Sequence, residues 1–448
     1  MNRISFKDVD FLKGPILKSL LIFAIPVFIS NMFQQFYNTV DTMIVGHYLG
    51  DHSLAAIGST SAIYDLFVGF ALGIGNGLAI VTARFYGAKD ERNLKKSVAS
   101  AIIIGFVSSL IITLLSIFVI RPLLGILQTP QEIINESYSY ISTITLFTIV
   151  MFAYNLCAGL MRSIGNSIAP LVFLIISSIA NIFLDILFIT QFNMGVKGAA
   201  VATVIAQGLS VLLCIVYIKY KVKLLIPNKE DFETDIPIYK EMIGQGYSMG
   251  FMGSIVSAGS VILQFGINGL GTLIIAAHTA ARKIYSFFLM PYLALGVSVS
   301  TFVSQNKGAN QRMRIREVMK IAYKCDFFLA FIISCILFLF APLIVKTISG
   351  SSEWIVLQNG SRFLYVVGPF YAVLGILLQT RSALQGIGKK IVPLISSIIE
   401  LIGKILFVII FIPKFAYNAV IFCEPMIWCA MTIQLLFSFW NNEYIKGE

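Results

Sequence analysis

The chain has 448 residues, of which 57% are apolar and only 12% charged, with a net charge of +11 and a mean hydropathy of +0.86. An average soluble domain carries about 25% charged residues. This composition excludes a cytosolic enzyme, a disordered chain and a nucleic-acid binder, and leaves a lipid bilayer as the natural solvent. A span needs about 20 apolar residues, so twelve spans take roughly 240 residues and leave only short loops.

The first 14 residues are polar and basic. The apolar run from Ile16 to about Val45 is longer than the core of a secretory signal. It reads as a first span, 16–45, with Pro26 inside it; a proline there removes one backbone hydrogen bond and predicts a kink. The next spans are expected at 54–80, 95–120, 137–160, 168–190 and 197–219. The second carries the steps Gly69-xxx-Gly73-xxx-Gly77, read as close helix packing. A polar segment, 219–241, follows. Six more spans are expected at 243–268, 273–303, 319–345, 360–384, 391–412 and 418–440. The six cysteines lie in apolar stretches without a CxxC pair and read as small core fillers.

An even number of spans puts both termini on one side. Of the 33 lysines and arginines, 25 fall on that side and five (Arg121, Lys197, Lys346, Arg362, Lys414) on the other. The positive-inside rule then places both termini in the cytoplasm of a cell-membrane protein. The +11 charge reflects this bias and asks for no anionic partner.

Shifting the chain by 223 residues superposes its halves. Ala71-Leu72-Gly73 meets Ala294-Leu295-Gly296, and Ile164-Gly165 with Pro170 meets Ile387-Gly388 with Pro393. Six spans per half give both halves the same orientation, a parallel repeat. The expected fold is all-α and membrane-integral: twelve helices in two pseudo-symmetric six-helix lobes around a central cavity. The domains are expected at 1–218, a cytoplasmic linker at 219–241, and 242–448. Two equivalent lobes suit alternating access and so argue for a transporter.

Charges within spans are costly and usually functional. The first half shows two carboxylates there, Asp41 and Asp185. Asn181 and Asp185 share a helix face by their i,i+4 spacing. Asp41, Asp185 and Thr203 each sit five residues from the outer end of a span, roughly 7–8 Å deep at 1.5 Å per residue. Two carboxylates, an amide and a hydroxyl at one level suit a small cation; paired carboxylates equally suit a proton. In the second half Lys404 falls at the place of Asn181, and Glu424 near that of Thr203. Glu400 and Lys404 are spaced for an i,i+4 ion pair. Lys404 reads either as an internal ammonium replacing a bound cation, with Glu400 or Glu424 as its partner, or as part of a structural salt bridge. Arg282 and Lys283, within the eighth span, point either into the cavity or outward.

Signals for enzymes fail. Gly386–Lys390 lacks the first glycine and the final Ser or Thr of a phosphate loop. His47, His52 and His278 have no metal spacing. The nearest approach to the His/Asp motif of a membrane acyltransferase, His47 with Asp51, is one residue too close.

The run from Pro26 to Gly50, with Gln34-Gln35, Asp41 and Val45-Gly46, resembles the first helix of the MATE multidrug and toxin extrusion transporters. Gly87-Ala88, the stretch 165–170 and its repeat 388–393 add to the likeness, which extends over residues 15–440. The resemblance implies export of amphipathic, often cationic small molecules against Na⁺ or H⁺, with no cofactor. In the DinF-like branch the coupling residues fall on Asp41, Asn181, Asp185 and Thr203. The acids that the NorM-like branch carries in its seventh and tenth helices are missing between Gly244 and Leu273 and between Phe363 and Leu384, so the chain is similar to the DinF-like branch. The group Glu400, Lys404, Glu424 looks like a subgroup trait. A second reading from the same superfamily is a flippase for lipid-linked oligosaccharides, with Arg282, Lys283 and Lys404 facing its pyrophosphate; such flippases often have spans beyond twelve. The expected partners are the bilayer and the small-molecule substrate, with the chain as a monomer.

Overall fold

In a computed structural model, residues 9–233 and 235–447 are described, and they are helical throughout with no strand among them. Helix α1 is Ile16–Leu49, followed by the short α2, Asp51–Ser59, and by α3, Ser61–Gly87. Helix α4 is Glu91–Ile126; α5 and α6 are Ile134–Leu146 and Thr148–Ser163; α7 is Ile168–Ile186 and α8 Gly195–Lys221. In the second half come α9, Ile236–Asn268; α10, Thr272–Gly308; α11, Arg312–Ser349; α12, Trp354–Gly386; and α13, Ile391–Leu406. The short α14, Ile412–Phe415, then α15, Tyr417–Trp440, and α16, Glu443–Lys446, complete the chain.

Among the described residues eleven helices are long and apolar enough to cross a bilayer, and α5 with α6, bent by 49°, makes a twelfth when the pair is counted as one span. Two expectations are corrected. The second span is not 54–80: Gly50, at φ 83°, turns the chain into α2, and the apolar helix begins only at Ser61. The fourth is not one helix over 137–160, because Phe147 leaves helical geometry (φ −103°, ψ 25°) and divides it. Elsewhere the expected spans fall inside observed helices. Both α7 and α13 run on into a π-helical turn, Leu187–Gln191 and Phe407–Phe411, so even this rare geometry recurs in the two halves. Helix α1 continues unbroken through Pro26, and Ser30 Oγ donates to the Pro26 carbonyl at 2.9 Å.

The residues are sorted for lipid rather than water. Phe331, Phe338 and Leu339 on α11 and Phe106 and Phe118 on α4 are more than half exposed. Small and hydroxylated residues such as Ser97, Ser100, Ser298 and Ser304 are buried. Helices satisfy their own backbone groups, which is what permits these apolar outer faces.

The chain divides into two compact units. One takes the chain up to Phe11 together with Ile25–Ser254; the other takes Leu12–Ala24 and Ile255–Glu448. The expected boundaries at 218 and 242 follow the repeat, whereas the units follow packing, and α1 and α9 are each shared. In the first unit the reason is visible. A Cβ on Gly73 or Gly77 of α3 would come within 2.6 Å of Met249 O or Gly246 Cα, so these glycines let α9 lie directly on α3. Packing is what the glycine steps predicted, although Gly69 has open space at its Cβ position. In the second unit α12 is central, packed by α10, α11 and α15.

Ion pairs fasten the start of α9. Arg84 pairs with Glu241, and Lys96 Nζ lies 3.0 Å from Asp235 Oδ2. The Lys96 hydrogen bond holds the Asp235 carboxyl below its ordinary value of 3.8, assisted by the Ile238 N–H and by Arg92. A depressed native value gives stability that is present above 3.8 and lost as pH falls through the lower native value. Asp235→Asn is therefore expected to lower the melting temperature slightly near neutral pH and to leave it unchanged in stronger acid. Fluorescence-monitored melting in detergent across pH checks this, and the effect is small because such exposed pairs contribute about 1 kcal/mol at most.

Candidate functional site

Three helices of the first unit bring polar faces together. On α1, Tyr37 and Asp41 are one turn apart and both buried. On α7, Ser177, Asn181 and Asp185 repeat every four residues and form one buried polar stripe. On α8, Thr203 and Ser210 are buried on the side that meets α7. Ser210 Oγ donates to Ser177 Oγ at 2.6 Å and locks α8 to α7 about two turns from Asp185.

The acids meet at the top of these stripes. The Asp41 and Asp185 carboxyl groups stand within hydrogen-bonding reach of each other. Asn181 Nδ2 donates to Asp185 Oδ1 at 3.4 Å. The Tyr37 hydroxyl contacts both Gln207 and Gln34. A cavity of about 10 Å³ lies among Tyr37, Ser177, Ser178, Asn181, Thr203 and Gln207, the room of one water molecule or one small bare cation. Four buried oxygens in this region, Asp41 Oδ1, Asn181 Oδ1, Asp185 Oδ2 and Gln207 Oε1, have no hydrogen-bond donor among the described residues. Buried polar groups are ordinarily satisfied, so several acceptors left together ask for a positive charge or a proton. All four residues expected from the sequence (Asp41, Asn181, Asp185, Thr203) are thus gathered in one place. Tyr37 and Gln207 were missed; their i,i+4 spacing to Asp41 and Thr203 was the available signal. Asp65 is a third carboxylate within the spans of this half, but its side chain is exposed.

In the second unit the i,i+4 pair of Glu400 with Lys404 forms as its spacing predicts. Lys404 Nζ lies 2.8 Å from Glu400 Oε1 and 3.4 Å from Ser260 Oγ. Glu424 is not its partner: Arg282 Nη1 reaches Glu424 Oε1 at 2.6 Å. The reason is position on the helix. Arg282 on α10 faces α15 and lies over the Tyr285 ring at 4.7 Å, while Lys404 extends along its own helix. Lys283 is exposed. Tyr285 stacks between Trp428 and Tyr371, and Tyr371 stacks in turn on Tyr292. A further acid, Asp326 on α11, is fully buried beside Gln379. Asp326 is not among the residues expected from the sequence. A lone acid inside an apolar span was the signal.

These features define a polytopic membrane transporter whose two halves repeat one helical plan and whose first unit holds a buried oxygen site. The MatE family profile matches residues 26–187 and 249–410, each segment beginning at the same place in one half. The chain belongs to the MatE family, whose members are transporters and not enzymes. It is 26% identical to the probable multidrug resistance protein YoeA of Bacillus subtilis over 87% of this chain and 86% of that one. It is 24% identical to the multidrug export protein MepA of Staphylococcus saprophyticus over 69% of each chain. An outward-facing multidrug resistance MATE transporter of the MOP superfamily has the same fold, with a TM-score of 0.90, 21% identity and complete coverage of both chains.

Proposed function

We propose that the chain is a secondary efflux transporter that exports amphipathic, often cationic organic compounds in exchange for H⁺ or Na⁺. The coupling ion is bound by Asp41, Asn181, Asp185 and Thr203. The observation that carries this reading is the set of buried, donor-less oxygens on Asp41, Asn181, Asp185 and Gln207, of which Asn181 and Gln207 also line a cavity of one ion's size. Asp41 and Asp185 supply the negative charge, Asn181 and Thr203 neutral oxygens, and Tyr37 with Gln207 closes the site from water. The multidrug names of YoeA and MepA support the substrate class. The distribution of basic residues supports a cell-membrane protein with both termini in the cytoplasm. Residues 1–218 and 242–448 act as the transport halves, with 219–241 as their linker, and the chain works as a monomer. The N-terminal site favours the DinF-like branch. The flippase reading is weakened, because two of its three cations, Arg282 and Lys404, are each neutralised by a glutamate and the third, Lys283, is exposed.

Ethidium efflux from proteoliposomes, under a Na⁺ gradient alone and a pH gradient alone, tests the proposal. Export driven by one of them supports it and names the ion; export under neither rejects it.

Pro26 supplies the moving part. It leaves one carbonyl of the preceding turn without its helical donor, and it stands on the same helix as Asp41. An ion shifts a conformational equilibrium only if it binds one shape better. Pro26→Ala restores the donor and is expected to keep ethidium binding but lose most turnover. Spin labels flanking residue 26 are expected to move with pH or Na⁺ in the wild type and to stay fixed in the variant. A distance independent of both ions in the wild type removes helix bending from the mechanism.

A further inference from the structure

The carboxylates buried in the second unit fall into two kinds. Glu400 and Glu424 each have a cation, Lys404 and Arg282. Asp326 has none. It lies on the core face of α11 with Ala322, Ala330 and Ile333, in a place where apolar residues belong, and its exposure is 0%. Its one hydrogen bond comes from a neutral amide, Gln379 Nε2 to Asp326 Oδ1 at 3.2 Å. The same Nε2 donates to the Tyr292 carbonyl at 3.2 Å, so both its protons are used. Gly375 of α12 packs against the other side: a Cβ there would stand 2.7 Å from Asp326 Cβ and Cγ. The titratable groups that face Asp326 are Tyr292 from α10 and Tyr323 and Cys325 from α11, all uncharged at neutral pH; α12 offers only Gln379.

Two buried acceptors in this cluster, Asp326 Oδ2 and Gln379 Oε1, lack a donor. A single proton on Oδ2 supplies it. Tyr292 Oη is also buried without a hydrogen-bond partner. The Tyr292 ring stacks on Tyr371, Tyr371 on Tyr285, and Arg282 lies over Tyr285. That stack runs from the ring beside Asp326 to the Arg282–Glu424 pair.

We propose that Asp326 is a second proton-binding group, in the C-terminal unit, which takes a proton from water and returns it to water once in each exchange cycle. Loading converts the carboxylate to the neutral acid, and unloading reverses this with no other bond changed. The cyclic part rests on the exchange function proposed above. The site itself does not, and it stands apart from Asp41 and Asp185.

Infrared spectroscopy of the purified full-length protein reads the protonated carboxyl directly. The wild type is expected to show a carboxylic-acid carbonyl band at neutral pH that Asp326→Asn lacks. Gln379→Leu, which removes the donor to Oδ1, is expected to shift that band. An unchanged spectrum in Asp326→Asn overturns the proposal; should that variant not fold, an unchanged band in Gln379→Leu does so. Protons released on adding tetraphenylphosphonium, counted with a pH dye, test the cycle. Asp326→Asn is expected to release roughly half the wild-type number, since proton and cation binding are linked reciprocally. Equal release from wild type and variant, or no release from the wild type, overturns the cyclic role. Asp41→Asn in the same assay reports on the N-terminal site alone, so failure of the one assignment is read separately from failure of the other.

Discussion

Asp41→Asn is expected to fold, to insert and to lose gradient-driven export, its efflux falling to the leak of protein-free vesicles. The substitution keeps the shape of the side chain and removes only the charge and the titratable proton. Stability is expected to hold or to rise, because one of two neighbouring buried carboxylates disappears while no cation of the protein loses a partner. The donor-less oxygens at Asp41, Asn181 and Asp185 then face an amide instead of a second acid. Such a site can neither share a proton between carboxyls nor balance a bound cation. Asp185→Asn is expected to behave alike, and the double variant no worse than either, since residues that act as a unit are not additive. Ethidium efflux, with melting temperature as the control for folding, is the measurement. Normal gradient-driven efflux by Asp41→Asn rejects the coupling role.

The N-terminal site was legible because helix periodicity and depth are written in a membrane sequence. Asn181 and Asp185 are held on one face by their spacing, and Asp41 and Thr203 reach their level because every span shares one rise per residue. The fold was legible for the same reason, down to the place of the repeat. What the sequence hid was set by packing between helices. The break at Phe147 has no proline or glycine to announce it. The share of α9 that belongs to the first unit depends on Gly73 and Gly77 meeting Gly246 and Met249, a contact between segments far apart in the chain. Asp326 was overlooked because its partner, Gln379, lies on another helix, and no spacing rule joins them. The pairing of Arg282 with Glu424 failed for the same cause: the i,i+4 rule sees Glu400 and Lys404 on one helix and is blind to a pair on two.

That pairing makes the second large prediction specific. Lys404→Ala is expected to lower stability by about 3–5 kcal/mol, because it leaves Glu400 buried and unpaired. Arg282→Ala is expected to cost a similar amount through Glu424, and it also removes the guanidinium from the face of Tyr285. Rescue separates the two pairs. With Lys404→Ala, the second change Glu400→Gln is expected to restore most of the melting temperature, since it removes the uncompensated charge, while Glu424→Gln is expected to lower it further by stranding Arg282. With Arg282→Ala the order reverses, and Glu424→Gln is the restoring change. Double-mutant cycles on melting temperature in detergent measure this. If Glu424→Gln rescued Lys404→Ala, Lys404 would be paired with Glu424 and the four residues would work as one network. If Lys404→Ala melted like the wild type, its ammonium would be solvated and its geometry beside Glu400 would contribute nothing. Two separate rescues would mean that each ion pair is neutral by itself, leaving Asp326 as the one buried acid of the second unit without a cation among the described residues.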